Sequence, residues 1–304
     1  MIAYARAPNE LGLLANQGDS DHANPVDQEI NGRPRKDAPD GSARGADLDQ
    51  RHTFVLMAYG DSPFLSGCLE SLRTQSLAST VVVTTSTPSR FIESAAKAHG
   101  AELIVNSCRK GIAADWNFAL TTTRARYVTL AHQDDIYLPL FLERTLELFS
   151  LPSDRAMCFT GYQEVDDLGR RLSSKISRVK HFLEWATLGS ARLPQWIRLR
   201  AFLSFGDPLA CSSVTFDRQK LGEFAFSSDF SCNLDWDAWL RLLDGGHLFV
   251  RSPERLVGRR HNPLTATSRS IRDGTRRRED LLLFRRVWPR PISDVLALAY
   301  TAGY

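Results

Sequence analysis

The stretch Tyr127-Val-Thr-Leu-Ala-His-Gln-Asp-Asp-Ile-Tyr-Leu-Pro139 decides how the chain is read. Tyr127 to Ala131 is an apolar run of the kind that a strand buried on both faces needs. It breaks off at His132, Gln133, Asp134 and Asp135, and Pro139 then suits the first turn of a following helix. Open α/β sheets bind ligands at the carboxyl ends of their strands. Two adjacent carboxylates at such an end repel each other unless a cation or hydrogen bonds offset the charge. Oxygen ligands of this kind suit Mg2+ or Mn2+ bridging to substrate phosphates. A solvated turn is the plainer reading of the same residues, so the surrounding chain has to arbitrate.

Upstream, strands and helices alternate at short intervals. Thr53 to Ala58 is an apolar strand. Ser62 then reads as an N-cap and Pro63 as the first helical residue, with Phe64, Leu65, Cys68, Leu69 and Leu72 on one face. Thr80 to Thr85 is a strand, about Phe91 to Ala98 a helix, Glu102 to Val105 a strand and Ile112 to Thr122 a helix. This alternation predicts an α/β fold with a mainly parallel sheet and right-handed crossovers. Beyond Pro139 come an amphipathic helix with Leu142, Leu146 and Phe149, a strand at Ala156 to Thr160 and a turn at Asp167-Leu-Gly169. A helical region follows from Lys180 to Phe205, then a β-like Cys211 to Phe216. Leu234 to Leu243 forms a helix that Gly245 or Gly246 can close. The last strand region runs from His247 to Arg260, ahead of a basic helix at Arg276 to Trp288. Residues 1 to 50 are polar, rich in Gly and Pro, and aperiodic, so they are expected to form a disordered leader.

The 304 residues allow one large domain or two, and a net charge of +3 names no partner. Cys68, Cys108, Cys158, Cys211 and Cys232 are widely spaced without a CxxC pair, which fits reduced thiols in a cytosolic compartment. No apolar run approaches the ~20 residues that span a bilayer. The start lacks the basic-then-apolar order of a secretory signal, so a cytoplasmic protein is expected. The runs Arg276-Arg-Arg278 and Arg285-Arg286 suit peripheral contact with anionic lipids at the inner membrane face, and equally a solvated helix face. Nucleic acid is not an expected partner, because no reader motif accompanies the charge.

Three further features fall in order around the central stretch. They are the strand-turn-helix at Thr53 to Leu72, Gly111-Ile-Ala-Ala-Asp-Trp-Asn-Phe-Ala119, and Leu234-Asp-Trp-Asp-Ala-Trp-Leu-Arg-Leu242. Together with Tyr127 to Asp135 they resemble family 2 of the inverting glycosyltransferases, which have the nucleotide-diphospho-sugar-binding GT-A fold. The resemblance implies a GT-A domain over residues 51–270 and a basic helical extension over 271–304. It implies a glycosyltransferase, hexosyltransferase in type, with a nucleotide-diphospho-sugar donor and a divalent metal, Mn2+ or Mg2+. The acceptor would be a glycan or lipid-linked, in bacterial surface or cell-wall polysaccharide synthesis. Asp235 would be the general base and Asp134 the metal ligand, with His132 and His261 as further metal candidates. Tyr59, Gly60, Ser86, Gly111, Asn117, Gln133 and Asp135 would line the donor site.

The departures from the family pattern are specific. His132 stands where the first metal-motif acid is usual, and imidazole suits Mn2+ better than Mg2+. Thr85-Ser-Thr-Pro-Ser89 replaces an acidic strand end that reads the nucleotide base. Leu234 replaces a Glu, and Trp116 a frequent Arg. These gaps motivate a second reading, a non-catalytic nucleotide-sugar or carbohydrate-binding module. A sugar-nucleotide pyrophosphorylase would open on a Gly-rich loop cradling triphosphate, whereas the first turn here is Ala58-Tyr-Gly-Asp-Ser62. Taken alone, Asp235 is also an acid favoured by the dipole of its own helix. Trp236 and Trp239 are expected to be core residues.

Overall fold

The structure is a computed structural model and describes residues 51–108, 111–151, 155–172, 175–189, 194–260 and 265–303. The expected leader over 1–50 and His261 lie outside the described residues. In the first half, β1 (His52–Ala58), β2 (Thr80–Thr85), β3 (Glu102–Val105) and β4 (Tyr127–His132) alternate with α1 (Leu65–Arg73), α2 (Arg90–Ala98) and α3 (Ile112–Thr121). There follow β5 (Ile136–Tyr137), α4 (Phe141–Ser150), β6 (Arg155–Val165), α5 (Lys175–Leu188), α6 (Gln195–Leu203), β7 (Val214–Asp217) and the short α7 (Arg218–Leu221). The chain closes with α8 (Leu234–Asp244), β8 (Leu248–Arg260), α9 (Ala266–Arg272), α10 (Thr275–Val287) and α11 (Arg290–Thr301).

The strands form one sheet in the order β3-β2-β1-β4-β7-β6-β8-β5. The four strands β3, β2, β1 and β4 are parallel, as their helical crossovers require. β7 runs antiparallel to both β4 and β6, while β8 is parallel to β6 and β5 antiparallel to β8. Successive β1 side chains point to opposite faces. Phe54 and Leu56 join a core with Leu65, Leu69 and Phe141, while Val55 joins one with Leu130, Trp236, Trp239 and Phe284. Burying each such aliphatic or Phe side chain stabilises by about 1.5–3 kcal/mol. Both faces are therefore covered, and the register is held by packing on each side.

Local details depart from the sequence expectations. α1 starts at Leu65, behind Phe64, later than expected, and Ser62 makes only a long 3.4 Å bond, its Oγ accepting from the Phe64 N–H. Its hydroxyl donates to the Asp134 carboxylate at 2.8 Å, a charge-assisted bond stronger than a neutral cap. Pro139 lies ahead of the first turn, since α4 begins at Phe141. The helical region at 180–205 is two helices, α5 and α6. α8 matches its expected span, with Trp236 and Trp239 fully buried. It closes at Gly245 and Gly246, the latter at φ 84°, where a side chain would be strained.

His52 gives the sheet a titratable core residue. It is fully buried, with Nδ1 at 2.8 Å from Ser79 Oγ and Nε2 at 2.9 Å from Thr129 Oγ1. Burial disfavours the imidazolium and lowers the pKa from 6.5 to about 3. Above pH 6.5 neither folded nor unfolded chain carries this proton, so the residue contributes no pH dependence there. As pH falls from 6.5 towards 3 the unfolded chain binds the proton and the folded chain does not, so stability is lost through that window. His52→Gln should therefore decline less steeply than the native protein in urea-unfolding free energy between pH 6.5 and 4. Parallel declines would exclude His52 as a contributor to acid sensitivity.

Candidate active site

The parallel strands end level with one another. Met57 lies opposite His132 and Ala58 opposite Thr85, so the segments after β1, β2 and β4 leave the sheet along one rim. The rim between β1 and β4 is also where the crossovers change direction, the usual ligand crevice of such sheets. Gln133 stitches these two ends together. Its Oε1 accepts from the Tyr59 N–H at 3.0 Å and its Nε2 donates to the Tyr59 carbonyl at 2.9 Å.

Asp135 is buried and serves the backbone, its Oδ1 accepting from the Arg260 N–H at 3.0 Å. The Arg260 guanidinium donates to the carbonyls of Asp134 at 3.0 Å and Asp166 at 2.7 Å, and lies 4.3 Å over the Phe64 ring. The turn after β4 is thus clamped from β8. Asp134 keeps a carboxylate whose side-chain partner is Ser62. Burial raises its pKa, opposed by the Ser62 hydrogen bond and reinforced by the neighbouring Asp135. His132 packs beside Trp116, ring centroids 5.4 Å apart, and its Nε2 is buried with no hydrogen-bond partner. Burial lowers its pKa, while Asp135, Asp235 and Asp134 pull the other way.

Two acids occupy the first turn of α8, and the fold treats them differently. Asp237 is buried and paired with Arg241 at 2.7 Å and Arg286 at 3.0 Å. Asp235 is half-buried, and its Oδ1 accepts from the Trp236 N–H at 3.0 Å. It lies near enough to His132, at the β4 end, to raise the pKa of that imidazole. The helix beneath is anchored by Trp236, whose Nε1 donates to the Leu203 carbonyl at 3.0 Å, and by Trp239 stacked on Phe216 at 6.0 Å.

On the β2 and β3 side, Ser86 Oγ donates to Asp115 Oδ2 at 2.8 Å and Asn106 Nδ2 to Asp115 Oδ1 at 2.9 Å. An acid absent from the β2 end in sequence is therefore supplied there by α3. Gly60, at φ 62°, donates its N–H to Thr87 Oγ1 at 2.8 Å, beside an exposed Tyr59. Gly111 precedes α3 at φ 119°. Asn117 lies away from this group, both ends of its amide bonded to the Phe226 backbone at 2.9 and 2.7 Å.

Sequence reasoning missed Asp115 and Arg259. The first stands inside the quoted Gly111 motif, and the second in the basic run that ends β8. Burial opposes the charge on Arg259, yet Tyr162, Asp135 and Asp235 raise its pKa overall.

A divalent cation can be tested against these groups. Among the described residues no cluster of three or more His, Cys, Asp or Glu side chains gathers to hold one. Asp134 and the unpartnered Nε2 of His132 are donors that fit a cation drawing its other ligands from phosphate oxygens.

Residues 53–202 match the family model described as Glycosyl transferase family 2. These residues form a glycosyltransferase family 2 domain. The protein is accordingly a glycosyltransferase with a nucleotide-sugar GT-A fold, which sets aside the binding-module and pyrophosphorylase readings. No curated protein matches the chain in sequence. In fold, this enzyme is similar to the mannosyltransferase PcManGT from Pyrobaculum calidifontis in complex with GDP-Man and Mn2+. That match has TM-score 0.57 and 17% identity, and covers 83% of this chain and 69% of the other. It is also similar to glucosyl-3-phosphoglycerate synthase from Mycobacterium tuberculosis with Mn2+ and UDP-glucose, at TM-score 0.52, 18% identity and coverage of 83% and 84%. S. aureus TarS 1-349 in complex with UDP-GlcNAc matches at TM-score 0.53 and 11% identity, over 72% of this chain and 60% of that one.

The contrast within α8 has a measurable consequence for this enzyme. Asp237→Ala leaves Arg241 without its carboxylate and Arg286 with Asp244 alone, and should cost roughly 2 kcal/mol, below the usual range for a buried pair because the arginines are partly exposed. Asp235→Ala should cost less than about 0.5 kcal/mol, having no ion pair to break. Urea unfolding of both variants measures this, and equal losses would contradict the division.

Proposed function

We propose that the protein transfers a sugar, with inversion, from a nucleotide-diphosphate donor to a glycan or lipid-linked acceptor in bacterial surface or cell-wall polysaccharide synthesis. The observation that carries the catalytic part is the state of the two α8 acids. Asp237 is neutralised by two arginines, and Asp235 is left as the carboxylate at the β4 end. Asp235 acts as general base, taking the proton of the acceptor hydroxyl as its oxygen bonds to the anomeric carbon. The bond from that carbon to the diphosphate oxygen breaks in the same displacement, which inverts the centre without a covalent enzyme intermediate.

Asp134 and His132 would hold a divalent cation, which when bound offsets the charge developing on the leaving diphosphate. His261 remains a further candidate ligand. Gln133 and Asp135 act by holding the strand ends in place, and Asn117 by holding the Phe226 segment. Tyr59, Gly60, Ser86 and Gly111 would line the donor site, with the nucleoside extending towards the end of β2. Asp115, held by Ser86 and Asn106, supplies the acid there. Work on a lipid-linked acceptor would be peripheral, at the inner face of the cytoplasmic membrane. No helix among the described residues is long and apolar enough to cross a membrane, and Arg277, Arg278 and Arg285 of α10 are exposed.

Asp134→Ala should weaken Mn2+-dependent nucleoside diphosphate binding by tenfold or more, about 1.4 kcal/mol, with an unchanged melting curve. Calorimetric titration of UDP and GDP with and without Mn2+ reads this, and unaltered metal-dependent affinity would remove Asp134 from the site. Asp235→Asn should lower transfer by roughly 10²–10⁴-fold while nucleotide affinity holds. Near-native turnover in that variant would show that another group takes the proton.

A further inference from the structure

Helix α10 is basic in sequence, yet its buried acids face the start of α8. Glu279 is 6% exposed. Its Oε1 accepts from the Ser231 N–H at 2.6 Å, and its Oε2 from the N–H groups of Cys232 and Asn233, both at 3.0 Å. The Cys232 thiol adds a contact to Oε2 at 3.1 Å. Asp280, fully buried, accepts from Asn233 Nδ2 at 2.8 Å. Asn233 is the N-cap of α8 and provides no side-chain cap of its own. The acceptor for the N-cap N–H, which a capping box takes from within its own helix, thus comes from another helix, together with acceptors for the two residues before it. One helical turn further on, the Phe284 ring lies 5.0 Å from that of Trp236, and Arg286 pairs with Asp237 at 3.0 Å.

A single helix therefore holds residues 231, 232, 233, 236 and 237, on both sides of Asp235. Apolar packing alone fixes a helix start loosely. Hydrogen bonds to one buried carboxylate are directional, and leaving it unpaired would be costly. Proton abstraction needs the accepting carboxylate held to within about 0.5 Å.

We propose that Glu279, with Asp280, is a positioning residue that sets the carboxylate of Asp235 for catalysis. The inference rests on the reading of Asp235 as general base. Glu279 touches neither donor nor acceptor, so its removal should slow turnover without weakening nucleotide binding. Gln at this position keeps the shape but has one acceptor oxygen where the carboxylate uses two, so part of the segment is released. A misplacement of this order costs roughly 10–100-fold in rate.

The experiment is a double-mutant cycle on kcat with Glu279→Gln, Asp235→Asn and the double variant. It is read as nucleoside diphosphate release from UDP-glucose, UDP-GlcNAc and GDP-mannose in Mn2+, with water as the default acceptor. Amide hydrogen exchange over residues 231–237 is measured alongside. Glu279→Gln should lower kcat about 10–100-fold, leave UDP and GDP affinity within about twofold, and raise exchange in that segment. The double variant should be no slower than Asp235→Asn alone, because Glu279 acts through Asp235. Asp280→Asn, which keeps the bond to Asn233, should reproduce the pattern more weakly and stands in if Glu279→Gln does not fold. Losses that multiply, a kcat within twofold of native, or unchanged exchange would overturn the positioning role and leave Asp235 as base. Native turnover in Asp235→Asn alone would instead overturn the reading of Asp235, and the proposal with it.

Discussion

The parallel pairing of β1 with β4 is the constraint on which the site depends. With Met57 opposite His132, the segment after β1 and the turn after β4 leave the sheet at one level. A slip of one residue would carry Leu56 and Val55 to the wrong faces, and with them the cores that contain Leu69 and Trp236. The Gln133 amide then closes the gap at the rim, using donor and acceptor on Tyr59. Register, set by apolar packing, is thereby converted into fixed positions for polar groups. The carboxylate of Asp134 is one of them.

Each pair of acids in this enzyme is divided by its surroundings. Asp135 is turned to the backbone of β8, while Asp134 retains only a serine on its side chain. Asp237 is held by two arginines, while Asp235 takes a backbone N–H from its own helix. Partly buried acids left without an ion pair are those able to bind an incoming cation or proton. The arginines that neutralise their neighbours come from outside the parallel strands. The same division answers the charge repulsion that two adjacent acids would otherwise impose at a strand end.

The C-terminal helices take part in this arrangement. Leu283, Phe284 and Ala297 belong to the core that holds Trp236 and Trp239. Of the basic residues on α10, Arg286 turns to Asp237 and Asp244, and Arg285 pairs with Asp294. A helix whose composition suggests a solvated or lipid-facing surface thus has an inward face that carries structure and charge.

Alternation of strands and helices, the α8 stripe and the two acid pairs were legible in the chain itself. Those features depend on local periodicity and on residue type, which a linear sequence contains. The family resemblance followed from motifs in order, and it named Asp134 and Asp235 ahead of their neighbours. What the chain could not contain is the choice of hydrogen-bond partner. Ser62, by its position a cap, serves Asp134, and Asn117 spends its amide on Phe226, 109 residues away. Asp115 fills a place at the end of β2 that looked empty of acid, because α3 brings it there. Glu279 caps a helix that begins more than forty residues before it. Each is a competition between near-equal local and distant partners. Only the packed sheet, by bringing certain strand ends and helix starts within 3 Å, decides which partner wins.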